Sequence, residues 1–170
     1  LLLNMGGAYN LATATGTNYD HVKRNTGSVS LYLKHQLAKK ITYQATLRGE
    51  LNEDYDSPIL FSVGTSWQPI PVYALKTSIS KNYRIPTFND LYWPGAANPD
   101  LKAESSLQCE LSNEFTFSNL KFALTGYYND IRDLIRWLPY SGQIWRPVNT
   151  NSVKTYGLES NVQYGINLNE

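Results

Sequence analysis

Five aromatic side chains, Tyr92, Trp93, Trp137, Tyr140 and Trp145, fall in two stretches of this chain where regular patterning breaks down. Rigid rings on a surface supply flat apolar area with a polar tip, a chemistry suited to large planar or sugar-like ligands. The same rings can instead pack on one another or form an interfacial belt, so ligand contact and packing both remain open at this point.

Other groups offer less. Glu50, Glu53, Asp54 and Asp56 could supply oxygen ligands to calcium, but they lack the spacing of a dedicated calcium loop and read as a solvated acidic loop. His21 falls in an expected long loop, and His35 interrupts the apolar side of an expected strand; both read as surface or interfacial residues. One cysteine, Cys109, excludes an intrachain disulfide and reads as a small hydrophobe. No nucleophile constellation, phosphate-binding glycine loop or redox pair is present, so neither an enzyme nor a cofactor is expected. Fifteen Lys and Arg against fourteen Asp and Glu leave a net charge of +1, which gives no field for nucleic acid.

The elements that must hold these groups have a period of two. Val29, Leu31, Leu33 and Leu37 share one side; Ser30, Tyr32, Lys34 and Gln36 take the other. Alternation continues through Ile41 to Leu51, through Ile59, Phe61, Val63 and Trp67, and through Tyr73 to Ile79. It resumes in Leu107 to Phe117, Leu120 to Tyr128 and Tyr156 to Tyr164, with a weaker first strand near Met5 to Thr15. The expected fold is all-β, an antiparallel up-and-down meander of about eight strands. Short turns are expected at Ala38 to Lys40, Gln68 to Pro71 and Ser118-Asn119, and long connections at 17–26, 52–57, 84–104 and 132–151.

Strict alternation of short and long connections is the pattern of transmembrane barrels, whose two ends face different compartments. One face carries Lys34, Arg48, Glu50, Lys76, Glu110, Glu114 and Glu159, too many charges to bury unpaired. That face is expected to be wet. Tyr43, Trp67, Tyr73 and Tyr164 lie on the apolar face near short turns, where an aromatic girdle belongs, although aromatics are also good strand formers.

Four ordered motifs resemble the TonB-dependent outer-membrane receptors. They are Tyr83-Arg84-Ile85-Pro86 with Leu91-Tyr92; Asn98-Pro99-Asp100-Leu101-Lys102-Ala103-Glu104; Tyr127-Tyr128-Asn129-Asp130-Ile131-Arg132-Asp133-Leu134-Ile135; and Tyr156-Gly157-Leu158-Glu159. Together they cover roughly residues 80–165. Within the family the cobalamin receptors are the suggested relatives, and Leu134 to Trp137 with Trp145 to Asn149 resembles versions from Bacteroides-type bacteria. The motifs also have architectural work: Pro86 ends a strand, Thr87 caps one helical turn through Leu91, Asn98-Pro99 resets the chain, and Gly157 marks close approach or a bulge.

The resemblance implies a location in the outer membrane of a Gram-negative bacterium. It implies uptake of a bulky scarce nutrient, with cobalamin preferred over ferric siderophore or haem, and no enzymatic step. Its implied partners are outer-membrane lipid, the nutrient, and the energy-transducing TonB protein acting through a plug region. Residues 1–170 are then a partial barrel, because family barrels have about 22 strands and the plug and terminal aromatic strand are not in this sequence. A complete soluble β-barrel or β-sandwich module binding a ligand or carbohydrate is the alternative.

Overall fold

A computed structural model of the chain describes residues 1–16, 19–142 and 144–166. Eight strands follow one another: β1 (Leu2–Gly16), β2 (Tyr19–Ala38), β3 (Ile41–Asn52), β4 (Leu60–Ile70), β5 (Tyr73–Arg84), β6 (Glu104–Phe117), β7 (Leu120–Ser141) and β8 (Ile144–Tyr164). A five-residue helix, α1 (Phe88–Tyr92), interrupts the connection between β5 and β6. Each strand pairs antiparallel with its neighbours in sequence, so the sheet order is β1 to β8 without a crossover.

Register carries the expected parity across the whole sheet. Leu31 stands opposite Met5 and Leu47, Leu47 opposite Phe61, Val63 opposite Ile79, Ile79 opposite Cys109, and Cys109 opposite Tyr128. The intervening positions place Ser30 beside Arg48, Ser78 beside Glu110, and Thr125 beside Glu159. A slip of one residue in any strand would drive its charges onto the apolar face. The charged face is knitted by side chains: Lys76 pairs with Glu114 at 2.7 Å, and Thr125 donates to Ser112 at 2.8 Å.

The apolar face is bare. Val29, Leu47, Trp67, Leu111, Leu158, Val162 and Tyr164 are exposed, and β1 and β8 are unpaired edges among the described residues. Among the described residues neither a second sheet nor closure of β1 on β8 covers this surface. Trp67, Tyr73, Phe115, Phe117, Phe122 and Tyr164 gather toward the short-turn end, with Tyr73 and Phe115 rings 5.0 Å apart. Tyr43 lies deeper in the face, against His35.

Three expectations about connections change. The 17–26 segment is strand from Tyr19 onward, so His21 lies in β2 and contacts Thr15 Oγ1 through Nδ1; residues 17 and 18 lie outside the described residues, as do 167–170. The 132–151 segment is also strand, since β7 and β8 continue as a hairpin to Ser141 and Ile144. In this outer part Ile135 and Pro147 on one side are buried against connection 85–103 while Arg132 and Arg136 stand exposed on the other, so the simple apolar-polar alternation of the lower strands is lost while the ladder persists. The turn placed at Gln68 to Pro71 narrows to Pro71 and Val72, because β4 reaches Ile70 through a register irregularity that accommodates Pro69. The connections at 52–57 and 84–104 are found near the expected places, and all short turns share one end.

Gly157 is a site of close approach, as its place in a strand suggested. It pairs with Tyr127, whose phenol ring lies over it; a Cβ there would come within 2.8 Å of the Tyr127 hydroxyl. Gly157→Ala is expected to destabilise a barrel containing this segment by about 1 kcal/mol through overpacking. The cost should vanish in a Tyr127→Ala background, a coupling that a double-mutant cycle in detergent unfolding measures.

Candidate functional site

The residues buried best in this chain lie at the long-connection end, away from the sheet's centre. Leu91, Leu101 and Ile135 form a small apolar core there, joined by buried Ala96, Pro86 and Pro147. The connection 85–103 folds against β7 and β8 and reaches β2, so four separate stretches of sequence meet in one rim.

Its first fastening is ionic. Arg84, the last residue of β5, donates from Nε and Nη2 to the two oxygens of Glu104, the first residue of β6, at 2.8 and 2.9 Å. Glu104 Oε2 also accepts the Ile135 N–H at 3.0 Å, and Arg84 Nη2 reaches the Ile135 carbonyl at 3.3 Å. Two side chains therefore tie β5, β6 and β7 together. The Arg84 hydrogen bond holds the Glu104 carboxyl below its ordinary range against the opposing effect of burial, with the Ile135 N–H helping. Arg84 is held above its own ordinary value by the same bond.

The second fastening is Asp90, 5% exposed. Thr87 caps α1 as expected, and the cap is reciprocal: the Asp90 N–H donates to Thr87 Oγ1, while the Thr87 N–H and hydroxyl donate to Asp90 Oδ2 at 2.9 and 2.8 Å. The Thr87-x-x-Asp90 spacing is a capping-box variant legible in sequence. Asp90 Oδ1, the carboxylate's other oxygen, accepts from Trp137 Nε1 at 2.9 Å, a long-range contact that spacing alone does not disclose.

Two further posts complete the rim. Arg24, 8% exposed on β2, donates to the Pro86 carbonyl at 2.8 Å, lies 4.9 Å from the centre of the Phe88 ring, and contacts Asp54 at 3.4 Å. Asn149 on β8 grips Lys102 through its N–H and carbonyl and donates to the Asp133 carbonyl. Asp133 adopts a left-handed φ of 52°, which aims that carbonyl within reach. Three of the four acidic residues make such contacts: Glu50 takes Arg48, Glu53 takes Asn25, and Asp54 takes Arg24, while Asp56 accepts the Tyr83 hydroxyl through its backbone carbonyl.

The five aromatics are all at this end but do not form one cluster. Tyr92 lines a recess of about 390 Å³ with Asp54, Tyr55, Leu91, Pro99 and Asp100. Trp93 is the C-cap of α1, partly exposed. Trp137 is committed to Asp90. Trp145, 54% exposed, stands opposite Pro139 on the side of the hairpin that carries Ile135 and Trp137. Tyr140, 70% exposed, lies in the register irregularity near the hairpin tip, its ring 5.4 Å from the Arg146 guanidinium on the opposite side. Arg24, Asp90 and Asn149 are the contributors that the sequence did not single out; each acts through a partner 16 or more residues away.

Because the Glu104 carboxyl is depressed, the clip's contribution is complete above the unfolded-chain value and is lost as pH falls through the folded one. Glu104→Gln should lower barrel stability at neutral pH by about 1 kcal/mol, a modest figure because Arg84 is half exposed. Detergent unfolding between neutral and acid pH should show the gap between wild type and variant closing on acidification.

Residues 3–169 match the family described as TonB dependent receptor-like, beta-barrel. A vitamin B12 transporter BtuB of Photobacterium profundum is 30% identical over 150 residues, covering 85% of this chain and 24% of that protein. One from Vibrio vulnificus is 29% identical, covering 86% and 24%. The chain thus spans about a quarter of the length of these relatives, and they do not support the Bacteroides-type source suggested by the hairpin motif. The siderophore receptor PirA from Pseudomonas aeruginosa shares the fold, with a TM-score of 0.83 at 20% identity over 94% of this chain and 32% of its own. Members of this family are outer-membrane proteins of Gram-negative bacteria. With its ordered motifs in the rim and its alternating faces in an open eight-stranded sheet, the chain belongs to the TonB-dependent receptor family as a stretch of its β-barrel.

Proposed function

We propose that this chain is part of the wall of an outer-membrane receptor for active uptake of a bulky, scarce nutrient, with cobalamin preferred over a ferric siderophore or haem. The observation that carries the proposal is the ordered rim over a charged inner face: connection 85–103 is locked to β2, β7 and β8, so ligand-contacting groups stand on a fixed frame. The similarity to vitamin B12 transporters over most of the chain supports the choice of cobalamin. In the whole receptor the bare apolar face meets outer-membrane lipid, and energy arrives from the TonB protein through a plug within the barrel.

Among the five aromatics, Tyr92, Trp93 and Trp145 are the proposed ligand contacts on this frame. Trp137 contributes by positioning, since its indole N–H is held by Asp90, and Tyr140, against Arg146, is a further proposed contact at the hairpin tip.

The test is equilibrium binding of labelled cobalamin to the full-length receptor carrying this segment. Saturable binding competed by unlabelled cobalamin is expected. Trp145→Ala should weaken it about fivefold or more, on the order of 1 kcal/mol, with the barrel still resistant to unfolding in detergent. Unchanged affinity in a folded Trp145→Ala variant removes that residue from the site. Binding of a ferric siderophore with no binding of cobalamin overturns the preference.

A further inference from the structure

The posts that hold connection 85–103 all rise from the inner face. Arg24 on β2 shares the parity of Ser28 and Ser30, Trp137 on β7 that of Thr125 and Tyr127, and Asn149 on β8 that of Gly157 and Glu159. The connection therefore leans over the barrel mouth, and the recess of about 390 Å³ between it and connection 52–57 faces an arriving ligand.

Both walls of this recess are fixed. The buried Arg24 guanidinium spans them, touching Asp54 at 3.4 Å on one and the Pro86 carbonyl at 2.8 Å on the other, with the Phe88 and Tyr55 ring centres 4.9 and 5.9 Å from its central carbon. Its Nη2 is buried without an acceptor, so among the described residues Asp54 is the one carboxylate that balances its charge. The Tyr83 hydroxyl holds the Asp56 carbonyl at 3.0 Å, while Asn98 donates through its side chain to the Pro147 carbonyl and through its backbone N–H to that of Asp90. A recess held in this way is formed before any ligand enters it.

The recess offers acceptors above an apolar floor. Leu91 and Leu101, 5% and 3% exposed, make the floor, and Asp54, Tyr55, Tyr92 and Asp100 stand around it. Burial raises the Tyr55 phenol above its ordinary value, opposed by Arg24 and aided by Asp54 and Tyr92, so the phenol keeps its proton. The Asp100 carboxylate has no hydrogen-bond or ion-pair partner among the described residues; its backbone N–H alone is engaged, by Asn98 Oδ1. Two carboxylates repel an anionic group, and Arg24 behind Asp54 offsets the charge that would hold a cation. A neutral group with paired N–H donors on a short apolar stem satisfies what remains. The recess is at the small end of the range for ligand pockets, a size for a projecting arm and not for a whole macrocycle.

We infer that this recess seats a primary carboxamide arm of the ligand: its N–H groups donate to Asp100 and to Asp54 Oδ1, its oxygen accepts from the Tyr55 hydroxyl, and its stem lies on Leu91 and Leu101. The inference rests on the proposed cobalamin reading, because a corrin rim carries such arms. The same carboxylates make the recess a selective element, since they turn away a negatively charged competitor.

Full-length receptor in detergent is titrated with labelled cobalamin in competition with cobalamin itself and with the isomeric derivatives in which one carboxamide is hydrolysed to carboxylate. At least one isomer should compete about tenfold more weakly than cobalamin, because its carboxylate lacks the N–H donors and faces Asp100. Asp100→Asn, which conserves shape, should cut that penalty to about threefold or less and weaken cobalamin itself about threefold. Glu53→Gln, at the neighbouring exposed carboxylate bonded to Asn25, should leave the penalty in place. Isomers that all compete as well as cobalamin overturn the inference, as does a penalty that Asp100→Asn leaves intact. Equal relief from Glu53→Gln would assign the effect to a diffuse negative field at the mouth and likewise overturn it. A receptor that binds a ferric siderophore and no cobalamin refutes the cobalamin reading itself, a result distinct from cobalamin binding without discrimination between arms.

Discussion

Everything in this sheet depends on keeping two rows of side chains apart along every strand. Because successive residues point to opposite faces, hydrogen-bond register alone decides whether Arg48, Lys76, Glu110 and Glu159 share the inner side or meet Leu47, Ile79 and Leu158 on the outer one. The ladder enforces this collectively. Seven consecutive antiparallel pairings transmit the register set in one hairpin to the next, and cross-strand contacts such as Lys76 with Glu114 favour the same alignment.

The faces differ in how polarity is handled. Several inner-face charges, Arg48 with Glu50 and Lys76 with Glu114 among them, are paired within the chain, while the outer face leaves large apolar side chains uncovered. A water-soluble sheet would invert that economy and bury its largest apolar groups against a second layer. Here the best-buried residues are in the rim, where Leu91, Leu101 and Ile135 make a compact junction of loop, helix and strand.

Most of the sheet was legible in the sequence because strands with unlike faces write their parity directly into residue order. Val29 to Leu33, Ile41 to Leu47 and Leu107 to Phe117 are read correctly for that reason. The extensions of β2, β7 and β8 were not legible. Arg132, Asp133, Arg136 and Trp137 show no alternation, and Pro139 and Pro147 resemble loop residues, yet register with the partner strand keeps the hairpin extended. At the rim, Thr87 as a cap and Pro86 as a strand end were readable from local chemistry. The indole of Trp137 on Asp90 and the guanidinium of Arg24 on Pro86 depend on three-dimensional closure over 47 and 62 residues, for which local patterning carries no signal.

The β7–β8 hairpin has a mechanical consequence. Its outer part is braced at the base by Asn149, at mid-height by Trp137, and from beneath by Arg84 and Glu104 through Ile135. It is therefore built as a braced cantilever, held along its length and not only at its base. The chain of contacts runs from Trp137 through Asp90 into connection 85–103 and on to Arg24 of β2, a route by which a load near Trp145 is shared with distant strands. The hairpin's position is thus set by contacts far from its own turn, through Asp90 on α1 and Lys102 in connection 85–103.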